Sequence, residues 1–286
     1  DTAFYDKRSK FIHYKPDTLV LNNLEFDHAD IFPDITYIFR EFHNLLRTLN
    51  KEAQIIFPND DSNISKVLGM GTWSKLISYD VNNNNNKNSV MFNDDSKQTT
   101  YKIDQEEGRI DWEMFGEHNA RNAMAAALAV KQYGISLKDS LSSLEKFQGV
   151  SKRQDILLDT EDLMIIEDFA HHPTAIKTTL DGLRKKFPKK RLLAAIELRS
   201  NTMKSGFHDE QLLHSVSEAD LIFWKGDDSK QVKGLIDKNP SKFSDICNID
   251  NFVDDIDSLS FAGDVLLIMS NGNFDNLSKK LLKKYI

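Results

Sequence analysis

The sequence predicts an α/β protein of two domains, the second built on a parallel sheet with helices on both faces. Three observations lead there. From Asp162 to the C-terminus, short apolar runs alternate with helix-spaced segments, the pattern of a parallel sheet covered on both faces. Before Phe147 the pattern differs, mixing short strands, helices and a stretch of alternating residues. Between the two lies Phe147–Arg153 (FQGVSKR), where a glycine and a basic pair follow a helix and precede a new strand–helix series. The boundary is expected there, giving domains 1–149 and 150–286.

In the first domain, Lys10–Tyr14 and Thr18–Leu21 read as short strands. The second runs into Asn22–Asp30, NNLEFDHAD. Asp27, His28 and Asp30 lie within a single turn, so they cannot all face one way. His28 with a carboxylate supplied from elsewhere suits a hard divalent ion completed by water and phosphate. An Asx-rich turn leading into the next helix accounts for the same residues. Pro33–Thr48 places Ile35, Ile38, Phe39, Phe42, Leu45 and Leu46 at helical spacing. Gln54–Phe57 is an apolar strand followed by the loop Pro58–Asn63. Lys75–Ile103 alternates and carries turn residues, which predicts antiparallel hairpins. Asn82–Asn86 then forms a solvated hairpin tip with no assigned function. Arg109–Phe115 reads as one more strand, ended by Gly116. In Gly116–Val130, GEHNARNAMAAALAV, the alanines make a helix that packs close to its neighbours. His118, Asn119 and Asn122 stand at its start, and Asn119 offers both a donor and an acceptor to an adenine edge. Plain N-capping by Asn119 is the alternative. Ser136–Phe147 is a further helix with Ser136 as its cap.

The second domain turns on Asp162–Thr174, DLMIIEDFAHHPT. An apolar strand ends abruptly in Glu167, Asp168, Phe169, His171 and His172, and Pro173 suits the first turn of a following helix. Ligands of open α/β sheets bind beyond the carboxyl ends of strands, so Asp168 and His171 mark a candidate site. Capping of the helix by Asp168, with the histidines in solvent, is the other reading. Strand 162–167 precedes helix 173–186, and strand 191–196 precedes helix 206–217. Strand 220–224, helix 230–238, strand 244–248, helix 251–258, strand 264–269 and helix 274–285 complete the series. Glu197–Lys204 and Ser270–Phe274 fall on the edge that also carries Asp168 and His171. Arg199 offers a rigid fork for a carboxylate and Lys204 a second positive charge. Arg153 is either a phosphate ligand or an ordinary surface charge.

Length and composition bound the rest. A chain of 286 residues holds one or two domains, and 40% hydrophobic with 28% charged residues is a globular balance. A net charge of −7 argues against a general nucleic-acid coat. Cys247 is the single cysteine, so there is no intrachain disulfide and no cysteine metal cluster, in keeping with a cytoplasmic location. No apolar run approaches the length that spans a bilayer, so no membrane partner is expected.

NNLEFDHADIF, GEHNARNAMAAALAV, FQGVSKR, EDFAHHPTAI, ELRSNTMKSG and GDVLLIMSNGNF, in this order, resemble the Mur ligases along the whole chain. The RSNTMK stretch and the SNGxF ending are most similar to the branch that recycles peptidoglycan. The resemblance implies the remainder of a Mur-type central ATPase domain followed by a Rossmann-like acceptor domain, with a pivot near Gly149. It implies an ATP-dependent amide ligase of cell-wall biogenesis, with ATP and Mg²⁺ as cofactors. The lactoyl carboxylate of UDP-N-acetylmuramate is phosphorylated. The amine of the murein tripeptide L-alanyl-γ-D-glutamyl-meso-diaminopimelate then attacks the acyl phosphate. It also implies residue roles. His171, Arg199 and Lys204 are catalytic, and His28 is the Mg²⁺ ligand. His118, Asn119, Asn122, Arg153 and Asp168 bind the nucleotide. Asn201, Thr202, Ser270 and Asn271 bind substrate.

The chain departs from that pattern in two places. It holds no GxxGK[ST] phosphate loop and no UDP-binding domain, and Asp1–Asp6 looks like the sequence just after the family's first magnesium-binding glutamate. An N-terminal truncation is therefore expected, and with it a polypeptide that does not turn over alone. The ending Asn271–Asn276 also lacks glycines the family usually carries. Two rivals stand beside the main reading: a ligase adding a single amino acid such as L-alanine, and a non-catalytic binding protein built from ligase domains.

Overall fold

The computed structural model describes residues 8–28, 31–92, 98–112, 114, 116–204, 206, 208–259 and 262–286. Asp1–Asp6, Asp30, residues 113 and 115 of the expected strand, and Ser205 and Phe207 lie outside the described residues. The chain divides into two units, Asp1–Glu113 with Glu117–Phe147, and Met114–Gly116 with Gln148–Ile286. No helix among the described residues is long and apolar enough to cross a membrane.

The first unit begins with a 3₁₀ turn at Lys10–His13, where a strand was expected. It continues through β1 (Thr18–Val20), α1 (Ile35–Leu46), β2 (Gln54–Pro58), α2 (Ser62–Gly69) and β3 (Lys75–Val81). Then come β4 (Asn88–Phe92), β5 (Gln98–Ile103), β6 (Glu106–Asp111), α3 (Glu117–Lys131) and α4 (Leu137–Leu144). The six strands lie in sequence order in one sheet. β1, β2, β3 and β4 pair in parallel, and only β4–β5 and β5–β6 are antiparallel. The expected run of hairpins is therefore corrected to a single meander over β4–β6. Asn82–Asn86 is no hairpin tip, because the strands it joins run the same way. Its asparagines instead bond back to the sheet, Asn86 Nδ2 donating to Ser78 Oγ and Ser89 Oγ donating to Asn84 Oδ1, each at 3.1 Å.

Both faces of this sheet are covered. β2 sends Ile55 and Phe57 to a core shared with α1 and α2, and Ile56 to the other face. There Tyr79, Val90, Tyr101 and Ile110 meet Ala120, Ala123, Met124 and Ala127 of α3. The small side chains of α3 let it lie close on the sheet. α2 was not expected; the sequence signal for it is Asp61, whose side chain caps the helix by accepting from Asn63 N and Ile64 N at 2.9 Å.

The second unit runs β7 (Asp155–Asp159), β8 (Leu163–Asp168), α5 (Pro173–Lys186), β9 (Leu192–Leu198), α6 (Asn201–Lys204) and α7 (Asp209–Ser215). β10 (Leu221–Gly226), α8 (Ser229–Lys238), β11 (Phe243–Asp245), α9 (Ile249–Leu259), β12 (Asp264–Met269) and α10 (Leu277–Tyr285) complete it. The strand order is β11-β10-β9-β12-β8-β7. All pairings are parallel except β7 with β8, so the expected parallel sheet gains one antiparallel edge. Burial on both faces explains the apolar runs. Leu192, Ala194, Ile196 and Leu198 of β9 enter one core with α5, α7 and α8, while Leu193 and Ala195 enter the other with α9 and α10. The C-terminal helix begins at Leu277, after a 3₁₀ turn at Phe274–Asn276.

Two stability measurements follow from the first unit. Asp61→Ala removes the α2 cap and a bond to Leu24 N, and is expected to cost about 2 kcal/mol in urea unfolding, with Asp61→Asn milder. Asp60 pairs with Arg121 at 2.5 Å, and that hydrogen bond holds its carboxyl below the ordinary range against the opposing effect of partial burial. A lowered folded value means the stabilisation is present above the unfolded pKa of about 3.9 and is lost as pH falls through the folded value. The stability advantage of wild type over Asp60→Asn should therefore shrink between about pH 5 and about pH 2. A constant difference across that range would show the ion pair to be without effect.

Candidate functional site

In the second unit the parallel register brings the carboxyl ends of β8, β9, β10 and β12 to one edge. Strands buried on both faces leave their polar residues at these ends. Asp168 closes β8 and is 4% exposed. Its carboxylate accepts from Ala170 N at 2.7 Å and Gln154 N at 2.9 Å, which ties the segment before β7 to the turn after β8. Burial raises its carboxyl above the ordinary range, opposed by these two bonds and by the charge of Arg153. Arg153 is exposed and lays its guanidinium over the Phe169 ring, 4.9 Å from the centroid.

His171 is half-buried, edge-on to the Phe169 ring at 5.0 Å. Its Nδ1 lies 2.9 Å from Phe169 O. A carbonyl can only accept, so Nδ1 carries a proton, and in the neutral tautomer of this ring the lone pair is at Nε2. His172 stands edge-on to the buried His208, ring centroids 4.7 Å apart, which joins the starts of α5 and α7.

The end of β12 is a polar knot. Ser270 Oγ donates to Glu197 of β9 and accepts from Gly272 N at 2.8 Å. Lys152 Nζ donates to Gly272 O at 2.6 Å and lies 3.9 Å from Glu167, which accepts from Ser278 Oγ at 2.8 Å. Asn271 has its side-chain oxygen buried. Arg199 packs against Gly272 so closely that a Cβ there would stand 2.3 Å from its Nη1 and 2.7 Å from its Cζ and would push the guanidinium aside. Arg199 is exposed, resting on that loop. On α6, Asn201 is exposed while Thr202 is turned inward, and Lys204 Nζ pairs with Asp227 at 2.7 Å.

The remaining predicted residues lie in the first unit. Asn119 is the third residue of α3 and buried, so it is not the N-cap. His118 is half-buried and Asn122 exposed. Asn122 Oδ1 accepts from Asn22 Nδ2 at 2.5 Å, and Asn22 also receives Tyr79 OH at 3.4 Å. Leu24 is held by Asp61 through its N–H at 3.0 Å and by Asn63 through its carbonyl at 2.9 Å. His28 follows with φ +57°, its Nε2 4.0 Å from Asp27. No group of three or more His, Cys, Asp or Glu residues among the described residues could hold a metal ion. Asp27 and His28 are too few to hold Mg²⁺ by themselves, an ion that keeps several waters and takes phosphate oxygens beside one or two protein ligands. Sequence reasoning named Lys152, Glu197 and Gly272 only as parts of longer stretches and gave Asp61 no role. Lys152, beside Arg153 in the basic pair, and Asp61, just ahead of α2, carried local signals.

Comparison with known proteins bears on the family and the fold. Residues 2–130 match the Mur ligase middle domain and residues 152–272 the Mur ligase glutamate ligase domain. The chain is 36% identical over 294 residues to the UDP-N-acetylmuramate–L-alanyl-γ-D-glutamyl-meso-2,6-diaminoheptandioate ligase of Escherichia coli (strain K12), covering 99% of this chain and 62% of that protein. A murein peptide ligase from Psychrobacter arcticus 273-4 superposes with a TM-score of 0.72 at 35% identity, over 99% of this chain and 60% of its own. The MurF ligase of Thermotoga maritima, solved in complex with ADP, shares the fold with a TM-score of 0.74 at 15% identity, over 95% of this chain and 63% of its own. The chain thus spans 62% of the length of the curated relative from E. coli. With a middle and a C-terminal ligase domain in the order that defines them, it belongs to the Mur ligase family.

Proposed function

We propose that this chain is the ATP-binding and acceptor-binding part of a ligase of peptidoglycan recycling. The reaction joins UDP-N-acetylmuramate to L-alanyl-γ-D-glutamyl-meso-diaminopimelate. Residues 1–149 are read as the C-terminal part of the central ATP-binding domain and 150–286 as the acceptor domain. The relatives named for this reaction support the substrates, and the ADP complex of the Thermotoga MurF supports the nucleotide.

A carboxylate is a poor electrophile, so phosphorylation by ATP supplies a leaving group. The acceptor must then arrive with its amine unprotonated. His171 suits that task, because the Phe169 carbonyl occupies Nδ1 and leaves Nε2 to take the proton. The acceptor is rich in carboxylates, and Arg199 and Lys204 offer a fork and a point charge at the strand edge. Asn201, Thr202, Ser270 and Asn271 are assigned to the peptide beside them. His118, Asn119 and Asn122 are assigned to the adenine side of ATP, Arg153 to its phosphates, and Asp168 to the nucleotide. Mg²⁺ enters this reading with the phosphates, His28 being its proposed protein contact.

The observation that carries the acceptor assignment is Arg199 laid on Gly272, with Lys204 on the adjoining helix. Calorimetry of the tripeptide into the chain, with L-alanine as control, tests it. The tripeptide should bind and L-alanine should not, while Arg199→Ala should weaken binding about tenfold or more. Equal binding of L-alanine would favour a single-amino-acid ligase. Gly272→Ala is expected to reproduce most of the Arg199→Ala loss with little change in melting temperature, because the new methyl displaces an exposed guanidinium rather than core. Wild-type affinity in that variant would detach Arg199 from the acceptor site.

A further inference from the structure

The acceptor edge holds one more cation than the reading above uses. Lys225 and Gly226 end β10 as cross-strand partners of Glu197 and Leu198. Arg199 and Asp227 therefore leave adjacent strands side by side. Lys225 is 20% exposed, and its Nζ lies 3.9 Å from Asp275, beyond hydrogen-bond reach. Lys204 meets Asp227 at 2.7 Å. Asp227 and Asp275 are 75% and 62% exposed, so both pairs are screened by solvent and weak. The Asp227 carboxyl is held below its ordinary range by the hydrogen bond and charge of Lys204, with Lys225 and Arg199 adding to the same field. Lys204 thus pairs with an exposed carboxylate of the protein itself, in whose field Lys225 and Arg199 also lie.

Distance along the sheet says which part of a peptide meets Lys225. From β8, whose end carries His171, the sheet passes through β12 and β9 before reaching β10. At about 4.8 Å per strand this is about 14 Å. Three extended residues reach about 10–11 Å, and a γ-linked glutamate with a diaminopimelate side chain extends further. A peptide whose amine lies at β8 ends over β10. Its free carboxylates, one on glutamate and two on diaminopimelate, match Arg199, Lys204 and Lys225 in number and sign.

We infer that Lys225 is a specificity-determining residue, holding the carboxylate at the far end of the acceptor, and that Asp227 is the internal acid this ligand displaces. The inference rests on the acceptor reading of the same edge. The test is calorimetric titration of the chain with the diaminopimelate tripeptide and with its L-lysine analogue, which keeps the amine and lacks one carboxylate. Wild type should prefer the diaminopimelate peptide about tenfold, equivalent to about 1.4 kcal/mol. Lys225→Gln should bind both peptides alike, Lys225→Arg should restore the preference, and Asp227→Asn should tighten both several-fold. If Lys225→Gln keeps the wild-type preference, the role of Lys225 is overturned and the acceptor reading stands. If Asp227→Asn gains nothing, Asp227 is not the displaced acid. If wild type binds neither peptide, the acceptor reading falls and this inference with it.

Discussion

The second unit depends on one constraint: its central strands are buried on both faces, so polar side chains survive only where the strands stop. Leu192–Leu198 and Asp264–Met269 alternate between two apolar cores. An unpaired charge within either run would be expensive to bury. The parallel register then sends every terminus with a carboxyl end the same way, and Asp168, Glu197, Lys225 and Ser270 arrive together without further instruction. Glu197 is satisfied by Ser270, the neighbour the register provides, and Glu167 by Ser278 of α10. The groups left facing outward, Arg199 and Lys204, sit on the loop and short helix beyond β9, where the chain has left the sheet.

The first unit solves a different problem, which is to hold an irregular segment still. After β1 the chain runs through Leu21–His28 without secondary structure. Its backbone is pinned at Leu24 by Asp61 and Asn63 from the start of α2, and its side chain at Asn22 by Asn122 of α3. One carboxylate, Asp61, therefore does two jobs, ending the orphan N–H groups of a helix and fixing the loop that leads to His28. The neighbouring Asp60 is turned the other way, to the guanidinium of Arg121, which also bonds Glu117 at 2.9 Å. Adjacent acids thus tie this corner to α2 and α3 in turn.

What was legible in the sequence follows from range of interaction. Helix 173–186 was readable to the residue, because Pro173 at its first turn and the basic end at Lys186 are local signals. Strand 264–269 was equally plain, as an apolar run bounded by polar residues. β7 was missed because Asp155–Asp159 is short, edge-placed and mixed in exposure, and only its pairing with β8 makes it a strand. The parallel partnership of β3 and β4 defeated an alternation argument, which cannot distinguish strand directions. The candidate residues at strand ends could be named because they interrupt apolar runs. The packing of Arg199 on Gly272 could not, since no local pattern connects positions so far apart.

The turn after β12 shows how backbone strain is absorbed by packing. Phe274, Asp275 and Asn276 have φ of 44°, 49° and 60°, a run of left-handed residues that glycine would occupy without strain. Asn and Asp are the residues next most tolerant of that region, and they fill the last two places. Phe274 is not tolerant, yet it is 1% exposed and belongs to the core with α9 and α10. Burying a ring of that size returns about 2 kcal/mol, of the order that a strained backbone residue costs. The turn therefore holds its shape through an anchor beneath it rather than through freedom of the chain. The turn that buries Phe274 thereby sets Asp275 at the surface, 3.9 Å from Lys225.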